Sequence, residues 1–301
     1  MKAKNILITG STGLIGKKLL KKLINQDFEL TCIYRNSIPK EFHHEERIKW
    51  IQCDLEKNEI EFPSKLKFYA AILLCGKTLG ARLTKKEYYN ANEVTLLNSL
   101  NSICHKTKRI IFASSQCVYG NPSNTNIDET FKTQQNFDFY ALSKYNAEIL
   151  LKKYQEKFNG MYISLRLTGF IGGGGNIDYI VSNAVNNKDI VLYSNGQIRR
   201  DYISFEYGLE VITKLLLKRY ENNYFVFNVG SGQIISAHKI AKEVCKRLNS
   251  KSEIILSSKK PSIGDCVLNN NKIRQFIKIQ KFNLLDEIIH YTNTHNNDNV
   301  K

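Results

Sequence analysis

Short apolar runs alternate with amphipathic segments along the first half of the chain. The runs Asn5 to Thr9, Leu30 to Tyr34, Ile48 to Cys53, Tyr69 to Leu74, Arg109 to Ala113 and Tyr162 to Leu167 are nearly continuous in hydrophobic residues. Strands of that kind are buried on both faces, as in a parallel sheet covered by helices. Between them, Leu14, Ile15, Leu19, Leu20, Leu23 and Ile24 fall on one helical stripe, and Tyr88, Val94, Leu97, Leu100 and Cys104 mark a second periodic segment. The predicted fold class is α/β, a doubly wound parallel sheet. After Leu167 the alternation loosens at the run Gly172 to Gly175. A strand at Ile190 to Tyr193 and helices near Glu206 to Tyr220 and Ala237 to Leu248 then predict a smaller mixed α/β lobe. From Thr292 onward the chain is polar and asparagine-rich, which predicts a frayed tail.

The first strand ends in Thr9-Gly10-Ser11-Thr12-Gly13-Leu14-Ile15-Gly16 and opens directly into a helix. Small residues there let the backbone approach a pyrophosphate, and the helix N-terminus offers free N–H groups and a positive dipole end. Glycines collect in turns anyway, and it is the place between first strand and first helix that points to a dinucleotide. The predicted division is therefore a Rossmann domain at 1–167 and a mainly substrate-binding lobe at 168–301, with some later segments returning to the first domain.

An NAD enzyme usually carries an acid at the end of its second strand, where it bonds the adenosine ribose 2′-OH. Here the chain reads Tyr34-Arg35-Asn36. A cation there favours NADP(H), with NAD(H) the alternative if Arg35 points into solvent. Asp54, after the third strand, is either an acceptor for the adenine amino group or a turn former.

Composition narrows the setting. Seven widely spread cysteines without a Cys-x-x-Cys pair argue against a disulfide framework and a zinc site, so a reducing, cytoplasmic location and no metal are expected. His43-His44 reads as a solvated loop pair. The start, Met1-Lys-Ala-Lys-Asn, leaves no room for a secretory apolar region, and no stretch of about 18 apolar residues follows. A net charge of +16 suits an anionic ligand or nucleic acid, but the lysines form no stripe, so a nucleic-acid partner is not expected.

Tyr140-Ala-Leu-Ser-Lys144 sets a phenol and an ammonium at i and i+4 on one helical face. A free tyrosine titrates near pH 10, and an adjacent cation favours its phenolate. With 16 tyrosines in a lysine-rich chain such a spacing arises by chance, but this is the only Tyr-x-x-x-Lys present and it follows the fifth strand. That strand continues into Ser114-Ser115-Gln116-Cys117-Val118-Tyr119-Gly120, bringing two hydroxyls to the edge where such sheets bind ligands. Ser115 either steadies a reacting oxygen or satisfies local backbone groups.

With these segments, and with Leu165-Arg-Leu-Thr-Gly-Phe-Ile-Gly172, Arg200-Asp-Tyr-Ile203 and Phe227-Asn-Val-Gly-Ser-Gly232, nearly the whole chain resembles the extended short-chain dehydrogenases, the epimerase/dehydratase group acting on nucleotide sugars. The resemblance implies Tyr140 as acid/base, Lys144 lowering its pKa and holding the nicotinamide ribose, and Ser115 binding the substrate oxygen. It implies cofactor contacts at Gly10, Thr12, Gly13, Leu14, Ile15, Arg35, Asp54, Leu55, Tyr140 and Lys144. Substrate contacts fall at Ser115, Gln116, Gly169, Asn176 and Arg200, the last matching the arginine that meets substrate phosphate. It also implies a homodimer through helices near 85–104 and 138–158.

Three positions depart from the pattern. Gln116-Cys117 stands where 4,6-dehydratases carry an Asp-Glu pair, which argues against dehydration. Gly169 stands where the family often has asparagine. The arginine common before the late Gly-Asp step is missing from Pro261-Ser-Ile-Gly-Asp265, leaving Lys260 as the substitute. The expectation is an NADPH-dependent reductase of a nucleotide-linked 4-keto-6-deoxy sugar, with a 4-epimerase or 4-dehydrogenase as alternative and a cofactor sensor or RNA-associated relative as a minor one.

Overall fold

The computed structural model describes residues 3–132, 138–219, 221–260 and 263–298. Tyr220, Pro261, Ser262 and the last three residues of the predicted tail lie outside the described residues. In chain order the elements begin with β1 (Lys4–Thr9), α1 (Leu14–Leu23), β2 (Phe28–Tyr34), β3 (Ile48–Gln52), β4 (Ala70–Leu73), α2 (Lys85–Tyr88), α3 (Thr95–Ile103), β5 (Arg109–Ser115), β6 (Asn124–Ile127), α4 (Phe139–Phe158) and β7 (Met161–Leu167). They continue as β8 (Gly169–Phe170), α5 (Asn176–Val185), β9 (Ile190–Leu192), β10 (Tyr202–Ile203), α6 (Phe205–Leu217), β11 (Tyr224–Val229), α7 (Ala237–Leu248), β12 (Ile254–Leu256), β13 (Cys266–Leu268), α8 (Asn271–Phe276) and α9 (Leu284–Asp298).

The chain divides into two compact units. The first comprises Met1–Gly120, Gln135–Arg166 and Ile212–Phe227, and the second Asn121–Gln134, Leu167–Val211 and Asn228–Lys301. The first is built on a seven-stranded sheet in the order β11-β7-β5-β4-β1-β2-β3. β1 pairs in parallel with β2 and β4, β2 with β3, and β4 with β5. The strand order reverses between β1 and β4, the switch point where sheets of this kind leave a crevice beyond their carboxyl ends. β4 and β7 are buried along their whole length, as strands covered on both faces must be. Leu7, Ile33, Leu73, Phe112, Leu151 and Tyr162 belong to one core cluster.

Local chemistry sets the helix ends. α4 starts at Asp138, whose Oδ1 accepts the Ala141 N–H at 2.7 Å, and α2 starts in a capping box between Thr84 and Glu87. The second predicted periodic segment is not one regular helix. Between α2 and α3, Tyr89–Val94 form a π-helical stretch, a wider turn that re-aims the residues within it.

The second unit carries three two-stranded parallel ladders, β8 with β10, β9 with β12 and β6 with β13. Asp201 is fully buried there and accepts the N–H groups of Ser231 at 2.7 Å, Leu268 at 3.1 Å and Gly232 at 3.2 Å. The expected fraying from Thr292 is corrected: α9 runs on to Asp298. Thr292 is fully buried, and the Tyr291 hydroxyl donates to Asp178. Tertiary packing overrides the polar composition. No helix among the described residues is long and apolar enough to cross a membrane.

One buried ion pair ties the first unit together beneath the ligand edge. Arg166 on β7 and Glu148 on α4 meet at 2.7 Å, with a second contact from Arg166 Nε at 3.1 Å. Ser114 of β5 donates its hydroxyl to the same carboxylate, and the Arg166 guanidinium lies 4.7 Å from the Tyr119 ring centroid. Removing one partner strands the other charge out of water, at a cost on the order of 3–5 kcal/mol. Glu148→Gln should therefore lower the unfolding free energy read from a urea titration by that amount, moving the midpoint down. Replacing both residues by apolar ones of similar volume should recover most of the loss, and full stability in Glu148→Gln alone would contradict this role.

Candidate active site

The turn after β1 is shaped for close approach. Gly10 has φ +69°, and a Cβ there would sit 2.6 Å from the Leu74 carbonyl carbon. A Cβ on Gly16 would sit 2.2 Å from the Gly10 oxygen, so only glycine lets α1 pack this close to the turn. Ser11 Oγ bonds the Ile33 carbonyl oxygen at 2.8 Å and ties the turn to β2. Gly13 caps α1 without a side-chain hydrogen bond, and α1 has no acid in its first turn. These features fit a dinucleotide: Gly10, Thr12, Gly13, Leu14 and Ile15 line the backbone and helix end that would hold its pyrophosphate.

At the end of β2, where an adenosine is expected, the arrangement differs from a bare cation. Arg35 Nη1 lies 2.9 Å from Glu56 Oε1, with the two side chains 45% and 31% exposed. Asp54 accepts the Glu56 N–H at 3.2 Å and lies 3.4 Å from Lys57 Nζ, so it shapes the turn after β3. Leu55 is buried in the core cluster, its carbonyl accepting from Asn98 at 2.9 Å. Composition and spacing carried no signal for Glu56, because its pairing crosses from β3 to β2.

The acid/base set assembles at the ends of β5 and α4. Ser115, Tyr140 and Lys144 are all buried. Ser115 Oγ accepts the Cys117 N–H at 3.2 Å and hydrogen-bonds the Tyr140 phenol. Tyr88 packs on Tyr140 with ring centroids 5.7 Å apart. Burial pushes the Tyr140 phenol well above its ordinary range, the nearby Cys117 pushes it further, and Ser115 opposes both. Lys144 Nζ donates to the Ala113 carbonyl at 2.9 Å and lies 4.9 Å from the Phe112 ring centroid. Burial is the largest influence on the phenol, and the Lys144 ammonium is turned to a backbone carbonyl.

Asn92, in the π-helical stretch, is a residue the sequence reading missed. Its Oδ1 accepts the Lys77 N–H at 2.8 Å and its Nδ2 donates to Ser143 Oγ at 2.8 Å. Ser143 in turn donates to the Tyr140 carbonyl at 2.8 Å. The asparagines between Tyr88 and Val94, interrupting the apolar stripe, were the available signal.

In the second unit, Gly169, Asn176 and Arg200 come together around Tyr202. Gly169 pairs with Tyr202 across the β8/β10 ladder, and a Cβ at 169 would fall 3.0 Å from the Tyr202 ring. The ring occupies space that an asparagine would take. Tyr202 hydrogen-bonds Asn176 and feels the Arg200 charge, both of which lower its pKa against the larger upward push of burial. Arg200 Nη1 donates to the Gly264 carbonyl at 3.1 Å. Asp265 does not stand alone either: its carboxylate accepts from Arg199 N at 2.7 Å and Nε at 2.9 Å. Lys260 is exposed, and Gln116 is buried beside Ser115. Among the described residues no group of three or more His, Cys, Asp or Glu could hold a metal ion.

Comparison with known proteins gives a consistent picture. The model of the NAD dependent epimerase/dehydratase family matches residues 6–230. The dTDP-4-dehydro-6-deoxyglucose reductase of Escherichia coli is 29% identical over 273 residues, 83% of this chain and 83% of the relative. The UDP-N-acetylglucosamine 4-epimerase of Methanobrevibacter ruminantium, solved in complex with UDP-N-acetylmuramic acid, matches with a TM-score of 0.82 at 21% identity, over 99% of this chain and 100% of that one. The UDP-glucuronic acid 4-epimerase of Bacillus cereus, solved with UDP-glucuronic acid and NAD, matches with a TM-score of 0.83 at 16% identity, over 98% and 99%.

The buried ammonium yields a pH dependence. Burial lowers Lys144 to about 8, so its charge is present below that pH and lost as pH rises through it. If the cation holds the cofactor, kcat/KM should fall above a pH of about 8. Lys144→Met should be slow and lack that descending limb. An unchanged limb in the variant would assign it to another group.

Proposed function

The chain belongs to the NAD dependent epimerase/dehydratase family and is an enzyme of it, and from this premise we propose an NADPH-dependent reductase of a nucleotide-linked 4-keto-6-deoxy sugar. The observation that carries the reading is Arg35 at the end of β2, a cation suited to the 2′-phosphate of NADP(H), together with the buried Ser115, Tyr140 and Lys144 at the ends of β5 and α4.

The nicotinamide cofactor, when bound, supplies the hydride. Ser115 donates a hydrogen bond to the sugar carbonyl oxygen, and Tyr140 delivers the proton that the oxygen needs as C4 becomes an alcohol. Lys144, which donates to the Ala113 carbonyl, would hold the nicotinamide ribose and steady the phenolate left behind. Asn92 and Ser143 hold the first turn of α4 while this happens. Arg200, with Tyr202 and Asn176, takes the substrate phosphates, and Gln116 contacts the sugar. Gln116 and Cys117 offer no carboxylate for dehydration.

A second reading is a 4-epimerase or 4-dehydrogenase using the same three residues. It is favoured by the Arg35–Glu56 pair, which partly satisfies the cation on which the NADP(H) argument rests. Given a nucleotide-linked 4-keto-6-deoxy sugar and NADPH, a reductase consumes one cofactor per sugar. The assay follows reduced-nicotinamide absorbance alongside NMR of the sugar. Interconversion of two 4-epimers at flat absorbance would replace the first reading by the second. In either case Tyr140→Phe should cut turnover at least about a hundredfold while cofactor binding persists.

We also propose a homodimer. Tyr89, Phe139 and Ile149 are 49%, 51% and 40% exposed, and Tyr89 and Phe139 line one shallow surface with Leu142 and Asn146. A second copy would cover it. Light scattering should give twice the chain mass, and Phe139→Lys should give the single mass. A monomeric unaltered chain would dispose of the proposal.

A further inference from the structure

The acid that cofactor recognition lacks on β2 arrives from elsewhere in the fold. Glu56 sits in the turn after β3, and its Oε1 lies 2.9 Å from Arg35 Nη1. The loop holds it there: Asp54 accepts the Glu56 N–H at 3.2 Å, and Gln52 Nε2 donates to the Arg35 carbonyl at 3.1 Å. β2 and β3 are in register up to Tyr34 and Gln52, which sets the two strand ends side by side, and the turn at Asp54 carries Glu56 to Arg35. The Arg35 charge also reaches Cys75, whose thiol is hydrogen-bonded at Gly10. Arg35 follows the carboxyl end of β2, half-exposed and paired with Glu56.

We propose that Glu56 is the cofactor-selecting residue of this enzyme: an internal carboxylate that occupies Arg35 and must be displaced by the 2′-phosphate of NADP(H). The inference rests on the assignment of Arg35 to the adenosine end of the cofactor. An arginine fork binds a phosphate in the same manner as a carboxylate, so the two anions compete for one donor set. The pair is partly exposed and solvent-screened, hence displaceable, and a doubly charged phosphate wins the exchange. Glu56 thereby narrows the margin by which NADP(H) outcompetes NAD(H). NAD(H), which brings no second anion to Arg35, leaves the pair intact. Glu56 acts through Arg35, as a positioning residue.

The test compares affinities of NADPH and NADH by calorimetry for the unaltered chain, Glu56→Gln and Arg35→Gln. Glutamine keeps the size of the side chain and leaves the backbone bond to Asp54 in place. The expected result is that Glu56→Gln tightens NADPH about five- to tenfold and leaves NADH within about twofold, while Arg35→Gln weakens NADPH selectively. If Arg35→Gln removes the preference but Glu56→Gln leaves the NADPH/NADH ratio unchanged, the inference fails and the Arg35 assignment stands. If neither variant moves the ratio, both fall. Equal tightening of both cofactors by Glu56→Gln would mark a general electrostatic effect and also overturn the proposal.

Discussion

The ends of β5 and β7 and the helix α4 are held together by one buried ion pair. Glu148 and Arg166 would each be costly out of water alone, and together they satisfy one another. The pair joins three elements at once, because Glu148 belongs to α4, Arg166 to β7, and the third hydrogen bond comes from Ser114 at the end of β5. Ser114 is the neighbour of Ser115, and Glu148 lies one helical turn beyond Lys144. The distance between β5 and α4, on which the Ser115 to Tyr140 hydrogen bond depends, is thus set by a bond with strict geometry rather than by apolar packing alone.

Burial acts on the two titrating members of the site in opposite senses. It raises the phenol of Tyr140 and lowers the ammonium of Lys144, since each is driven toward its neutral form. The resting site therefore keeps its proton on Tyr140, while Lys144 retains a charge that Glu148 and the neighbouring Cys75 thiol favour. Of the two, only the ammonium is brought toward neutral pH; the phenol is moved away from it.

In the second unit the alternation of an extended segment distributes the work. Asp201 turns inward and satisfies three backbone N–H groups, while Arg200 and Tyr202, on either side of it, come together with Asn176. Gly169 opposite them is explained by the Tyr202 ring it accommodates. A missing asparagine at one position and a bulky ring at another are one structural fact.

The sequence by itself determined the sheet and its ligand edge. Continuous apolar runs demand strands buried on both faces, Gly10 and Gly16 admit a backbone approach that no side chain allows, and the lone Tyr-x-x-x-Lys puts Tyr140 and Lys144 on one helical face. These are local properties, of period and of residue size, and they are legible wherever they occur. Tertiary structure alone decided what depends on residues distant in the chain. The π-helical turn brings Asn92 to Ser143, and the capture of Thr292 and Tyr291 keeps the polar tail helical. Glu56 faces Arg35 only because β2 and β3 lie side by side. Pairing and burial are set by the whole fold, and no window of sequence contains them.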